Sequence, residues 1–295
     1  MIKQYMEKLD FPTEAIDELY ECYKKMVSTE GVLCLMEDVK EQIFCGNDRS
    51  FTSGLEAVAK AAGVNRYQSD MVMLLSCIPS LKYLYHSHGI DEAVLWDSMS
   101  DLRCKLYECK AVKGVWGNFV AYWYGIFFRL RCFKLGRIEF EKVTFPLDSY
   151  KNLSKKGDAM LNCHIPSAGP LKEEQVYDSL RRAYDFFPEM RRDGILPILC
   201  HSWLLDPKYK DNVFPSGTNT RNFIDLVELI EAREDTNYAD LWRVFNVEYT
   251  EGCLASLPED TSMRKRMKEH LLAGNKMGDA YGIILFDGEK VLTKQ

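Results

Sequence analysis

The sequence predicts an α+β protein, all-helical in its first part and mixed α/β in its second. Three observations carry that expectation. Through residues 1–114 apolar residues recur at helical spacing with no strand alternation. Alternation first appears in LGRIEFEKVTF, residues 135–145, with Ile138 and Phe140 on one side and Arg137, Glu139 and Glu141 on the other. Residues 160–187, MLNCHIPSAGPLKEEQVYDSLRRAYDFF, read as a strand, a Gly/Pro turn and an amphipathic helix.

In chain order, Ile16, Leu19, Tyr23 and Met26 form the first helical stripe, and Leu55, Val58, Ala59 and Ala62 a shorter one. Met71 to Tyr85 predicts a helix bent or broken near Pro79. Leu95, Met99, Leu102 and Leu106 complete a further stripe. His86 and His88 lie at a helix end, where imidazole suits the helix dipole as well as it would a site. Residues 115–128, VWGNFVAYWYGIFF, are apolar almost all round and predict a buried helix. The change in character sets expected domains of 1–114 and 115–295. The strand of residues 135–145 should be half-buried, its charged side solvated. In the helix after the turn, Val176, Leu180, Ala183 and Phe187 share one face. GILPILCHSWLLDP is apolar on both faces and predicts a central strand, with Pro197 tolerated near its beginning. VFPSGTNTRNFIDLVELIEA predicts a loop and then a helix whose face is Phe223, Leu226 or Val227, and Ile230. A helix capped by Thr261 or Ser262 and stopped by Gly274 follows, and a hairpin around Asp287-Gly288 closes the chain.

Net charge of −6 and a pI near 5.5 argue against broad nucleic-acid binding. The most apolar window, about 14 residues, falls short of a membrane span. The first residues carry acidic side chains and no apolar core, so no cleaved leader is expected. Ten scattered cysteines without Cys-x-x-Cys predict reduced thiols in a cytoplasmic protein.

The runs LGRIEFE, HIPSAGPL with SLRRAYDFF, CHSWLLDP, Asn219-Thr220-Arg221-Asn222-Phe223 and LPEDTSMRKRMKEHLLAG resemble a bacterial family of GNAT-like acyltransferases. Its members join a helical N-acyltransferase N-terminal domain to a GNAT-like C-terminal domain. The resemblance implies a mixed-sheet GNAT-like fold and an acyl-CoA co-substrate, acetyl-CoA first. The acyl group would pass directly to an amine or hydroxyl of a small molecule, with no metal. The strand 160–165, ending at Ile165, would hold the pantetheine arm. Ser167, Ala168, Gly169 and Leu171 would receive the pyrophosphate, because amides ahead of a helix point at anions. Asn219 and Asn222 resemble the asparagine that contacts pantetheine. Residues 195–205 would splay away from the first strand to admit the thioester.

The turn departs from the family's pattern: it has one glycine, Pro170 has no N–H to donate, and Glu173 and Glu174 bring negative charge. The tyrosine expected near Leu226 to protonate the thiolate does not occur. These departures favour an alternative, a non-catalytic binding or scaffold protein that kept the fold. Acyl transfer needs a base, for which His164, His201 or Glu139 serves, and Ser202 would hydrogen-bond the departing thiolate. Each histidine in a strand is equally readable as a hydrogen-bonded core residue. Cys163-His164 and Cys200-His201 contain zinc ligand types, but neighbours in a strand face opposite ways and at most one of each pair reaches a common centre. Cys200 with His164 would be a nucleophile–base pair.

Overall fold

The computed structural model describes residues 2–46, 50–234, 238 and 240–294. The chain divides into two compact units, Met1–Phe133 and Lys134–Gln295.

In the first unit, α1 (Ile2–Lys8), α2 (Thr13–Ser28), α3 (Val32–Cys45), α4 (Thr52–Ala62), α5 (Arg66–Ser87), α6 (Glu92–Met99) and α7 (Asp101–Lys113) follow one another. α5 is the central helix, with the other six packed on it. It opens on Asn65, whose Oδ1 accepts from Tyr67 N at 2.9 Å. It runs unbroken through Pro79, so of the expected bend or break the break does not occur. Proline removes one backbone bond there on an exposed turn, while Met71 to Leu75, Cys77, Ile78 and Leu81 are fully buried around it. The buried stripe of α2 is Ala15, Leu19, Cys22 and Met26, one position round from the predicted one. The stripe of Leu95 and Leu106 spans two helices that meet at Ser100.

Residues 115–128 are not one helix. A 3-10 turn, Ala121–Tyr124, and a short α8, Gly125–Phe128, follow an irregular segment. That segment is pinned to the start of α5: Asn118 N donates to Tyr67 O at 2.9 Å, and Asn118 Oδ1 accepts from Val120 N at 2.8 Å. Gly117 lies so close that a Cβ there would stand 2.6 Å from the Tyr67 carbonyl. Helical periodicity could not report these contacts.

β1 (Cys132–Leu135) carries the chain across the boundary. β2 (Ile138–Thr144), β3 (Ser149–Tyr150), β4 (Ser154–Lys155), β5 (Ala159–His164), α9 (Glu173–Phe186) and β6 (Leu196–Ser202) come next. After a 3-10 turn at Trp203–Leu205 come α10 (Tyr209–Asn212), α11 (Asn219–Ile224), β7 (Glu228–Glu234), α12 (Leu241–Phe245), α13 (Ser262–Leu272) and β8 (Gly278–Phe286). The sheet has the order β1-β2-β5-β6-β8-β7. β5 and β6 are parallel, joined over α9; β2 and β5, β6 and β8, and β7 and β8 are antiparallel. This mixed sheet meets the predicted fold class.

Three expectations change here. The helix predicted through Ile230 stops at Ile224, and Glu228–Glu234 is a strand paired with β8. Helix-forming residues yield because the edge of β8 offers hydrogen bonds and an apolar surface where Ile230 packs. The charged side of β2 is not solvated: Arg137, Glu139 and Glu141 are all buried. At the chain end, the predicted hairpin reduces to a tight return after Asp287 with one bridge, Phe286 to Val291. β8 finds its long partners in β6 and β7.

Candidate active site at the parting of two parallel strands

Register decides which residues share a face. β5 and β6 pair at Leu161 with Ile198 and at Asn162 with Leu199. Beyond that point β5 continues against β2 as far as His164, and β6 continues against β8 as far as Ser202. The two strands therefore part company after Asn162 and Leu199. A side chain spans the first step of the gap: Asn162 Oδ1 accepts from the backbone N–H of His201 at 3.2 Å.

One face of the sheet is divided along its strands. Near the start of β5 it is apolar, with Phe145, Leu147, Tyr150, Met160, Leu199 and Ile283 in one cluster. Where the strands part it becomes polar. Glu139 lies opposite His164, Glu141 opposite Asn162, and His201 opposite Tyr281, so all six side chains issue from the same face. His164 Nε2 lies 2.9 Å from Glu141 Oε2 and 3.1 Å from Asn162 Nδ2. Donation to Glu141 needs a proton on Nε2, whereas acceptance from the Asn162 amide needs a lone pair there. The ring thus sits between a carboxylate that calls for its proton and an amide that calls for its absence. His201 Nε2 lies 3.1 Å from Asp279 Oδ1, an ion-pair distance without hydrogen-bond alignment. Its ring stacks on Tyr281 with centroids 4.0 Å apart and planes 5° from parallel. His201 is 38% exposed at its side chain and His164 21%, so solvent reaches both.

Alternation turns Cys163 and Cys200 to the opposite face, where both are buried. The hydrogen bond with Cys163, and then burial, hold the Cys200 thiol well above its ordinary range. It stays protonated and faces away from His164, so the two do not form a nucleophile–base pair. Among the described residues no three His, Cys, Asp or Glu side chains gather as a metal site. Ser202 shares the cysteine face, and its Oγ accepts from Leu204 N at 3.2 Å to start the 3-10 turn. His88 Nδ1 lies 2.9 Å from Leu84 O, the arrangement of a helix end.

The turn after β5 is held from beneath. Arg137, buried, donates from Nη2 to Gly169 O at 2.6 Å and from Nε to Pro170 O at 3.3 Å. With carbonyls drawn inward and Gly169 at φ +94°, Ser167, Ala168 and Gly169 stand exposed ahead of α9, while Leu171 is buried. Ile165 is half-buried between the strand end and this turn. Glu173 in the first turn of α9 pairs with Lys294 at 3.1 Å, which offsets part of its charge. Asn219 is exposed and Asn222 half-buried on α11, which packs against α9 and the turn Trp203–Leu205. Thr218 Oγ1 caps α11 by accepting from Arg221 N at 3.2 Å.

Residues 132–284 match the family described as GNAT-like C-terminal domain, and residues 1–130 match N-acyltransferase N-terminal domain. The chain belongs to this family. Its fold is that of solved acyltransferases: one in complex with decanoyl-CoA and teicoplanin is 23% identical, with a TM-score of 0.75 over 95% of this chain and 86% of that one. An acyltransferase mutant in complex with octanoyl-CoA is also 23% identical, with a TM-score of 0.73 over 94% and 85%. No curated protein sequence matches the chain. In this GNAT-like domain, sequence reasoning singled out both histidines and Glu139 but missed Glu141, Asn162, Asp279 and Tyr281 as their neighbours. Glu141 and Asn162 carried a signal, being two positions from a named residue on the same strand. Asp279 and Tyr281 carried none, because only the β6–β8 register brings them alongside His201.

Proposed function

We propose that the protein transfers an acyl group from an acyl-CoA thioester directly to an amine or hydroxyl of a small-molecule acceptor. The observation that carries this is the parting of β5 and β6 with His164 and His201 on one face, beside buried carboxylates. An acyl carbon seated there would meet a proton acceptor, and the amides freed along β5 are donors for pantetheine and for a developing oxyanion. His164, next to Glu141, is the base of choice, with Glu139 beside it. Ser167, Ala168 and Gly169 ahead of α9, with Leu171 behind them, suit the pyrophosphate, and Ile165, Asn219 and Asn222 are the residues we assign to the pantetheine arm. Ser202, expected at the thiolate, issues from the opposite face with its Oγ engaged at Leu204 N. The solved acyltransferases of like fold lend further support, since their ligands are decanoyl-CoA, octanoyl-CoA and teicoplanin. Medium-chain donors therefore join acetyl-CoA as candidates, and teicoplanin joins the acceptors to be tried. All ten cysteines are free thiols, which supports a cytoplasmic setting. Among the described residues no helix is long and apolar enough to cross a membrane.

Isothermal titration with acetyl-, octanoyl- and decanoyl-CoA tests the co-substrate, and absence of binding to all three would remove it. A second reading, binding without turnover, is favoured by the turn, where Pro170 lacks an N–H and Glu173 and Glu174 open α9. Binding of CoA with no thioester consumption across an amine and alcohol panel would favour that reading; turnover abolished by His164→Ala would end it.

A further inference from the structure

Acyl transfer from a thioester ends with a sulfur leaving a carbonyl carbon, and its departure near neutral pH is aided by a proton delivered as the C–S bond breaks. Two proton carriers flank the place where β5 and β6 part: His164 has an amide donor as well as a carboxylate at Nε2, whereas His201 has a carboxylate alone. Asn162 commits Oδ1 to the His201 N–H, which turns its Nδ2 donor toward the His164 ring. A donor aimed at a ring nitrogen needs a lone pair there, as a base has, and Glu141 at 2.9 Å from the same nitrogen favours the proton once it is taken up. His201 faces no such donor: the Asp279 carboxylate lies 3.1 Å from its Nε2 at ion-pair distance, and among the described residues its Nδ1 has no hydrogen-bond partner. Tyr281 fixes the ring plane by stacking, and Arg233 lies 4.7 Å from the Tyr281 ring centroid. Arg233 is itself paired with Glu231 at 2.6 Å. The charged and titratable groups facing His201 in this unit are thus Asp279 and Tyr281 on β8, Glu231 and Arg233 on β7, and His164, Glu141 and Glu139 across the gap.

We propose that His201 is the general acid that protonates the departing CoA sulfur, with Asp279 as its positioning residue, an inference that rests on the acyl-transfer reading. The acceptor nitrogen or oxygen forms a bond to the thioester carbonyl carbon while its proton passes to His164. The tetrahedral intermediate then collapses, the C–S bond breaks, and the proton on His201 Nδ1 moves to sulfur. The acylated acceptor and the CoA thiol leave, and exchange with water removes the proton from His164 and restores the one on His201. No oxidant, reductant or metal enters the balance.

The test measures CoA release by the full chain from octanoyl-CoA, with hydroxylamine or teicoplanin as acceptor, from about pH 5 to about pH 10, since a bell-shaped profile reports the essential base and acid. The rate without enzyme is subtracted. Wild type should show a limb that falls at alkaline pH. His201→Gln should release CoA about 100-fold more slowly and lose that limb, while keeping the acid limb set by the base. Asp279→Asn should retain the limb but lower kcat about 10-fold with little change in KM, because the ring loses the carboxylate that orients it. Both positions are partly exposed, and circular dichroism checks that the variants fold. Persistence of the alkaline limb in His201→Gln overturns the proposal and leaves acyl transfer standing. No enzyme-dependent CoA release by wild type from acetyl-, octanoyl- or decanoyl-CoA removes acyl transfer itself, and this proposal with it.

Discussion

Asn162 does two things that no apolar residue could do at the end of a strand ladder. Its carbonyl oxygen takes the His201 N–H that β5 no longer reaches, and its amide faces His164. Asn162→Ala should cost about 1 kcal/mol of stability through the lost hydrogen bonds. It should also lower kcat about 10-fold or more with little change in KM if His164 is the base we propose, because that ring loses its orientation. Chemical denaturation and steady-state kinetics with octanoyl-CoA check both, and an unchanged kcat would detach Asn162 from the chemistry. In the helical unit, burial pushes the Asp70 carboxyl from 3.8 up to about 7, against the pull of Arg66 at 3.2 Å. The folded protein therefore holds this proton more tightly than the unfolded chain. Its contribution to stability is complete below the unfolded value and is lost as pH rises through about 7. Asp70→Asn cannot ionise, so it should gain stability relative to wild type, by on the order of a few kcal/mol, between about pH 4 and about pH 8. Urea unfolding at both ends of that window reads the difference, and a flat one would refute it. Both histidines were legible in the sequence because a polar residue in an apolar run stands out. Their partners were not, because a pairing between strands leaves no trace in local spacing.

At the level of elements, the strand–turn–helix of residues 160–187 could be read directly: alternation, Gly169 with Pro170, and the stripe Val176, Leu180 and Ala183 each carry a local physical cause. β7 could not. Residues 228–232 favour a helix by propensity, and only the exposed edge of β8 draws them into a strand. The segment after Gly114 was misread for a similar reason, since its shape is set by the start of α5. Gly117→Ala tests that docking. A methyl group there meets the Tyr67 backbone carbon at 2.6 Å, which cannot move as the end of a side chain could. The variant should lose about 1–3 kcal/mol, the range for forcing atoms into packed space. Thermal unfolding of the full chain reads it, and an unchanged Tm would show that the loop moves freely.

On the scale of the whole molecule, cysteine reactivity and ligand linkage report the architecture without a variant. Cys34 and Cys45 are exposed, whereas Cys22, Cys77, Cys109, Cys132, Cys163 and Cys200 are buried. A thiol reagent should modify Cys34 and Cys45 first under native conditions and reach the buried set after unfolding. Rapid native labelling of Cys163 or Cys200 would contradict the closed cysteine face. An acyl-CoA that binds the folded chain at about 100 times its Kd should add about 2.7 kcal/mol of stability, seen as a rise in Tm. The sequence by itself determined the helical-then-mixed division, the strand–turn–helix and the two histidines, because periodicity, turn residues and polar interruptions act over a few neighbours. Tertiary structure alone decided that β5 and β6 part after Asn162, that Glu139 and Glu141 are buried, and that Asp279 stands at His201. Those outcomes depend on register between strands distant in the chain, and register is set by hydrogen bonds and packing that no local pattern encodes.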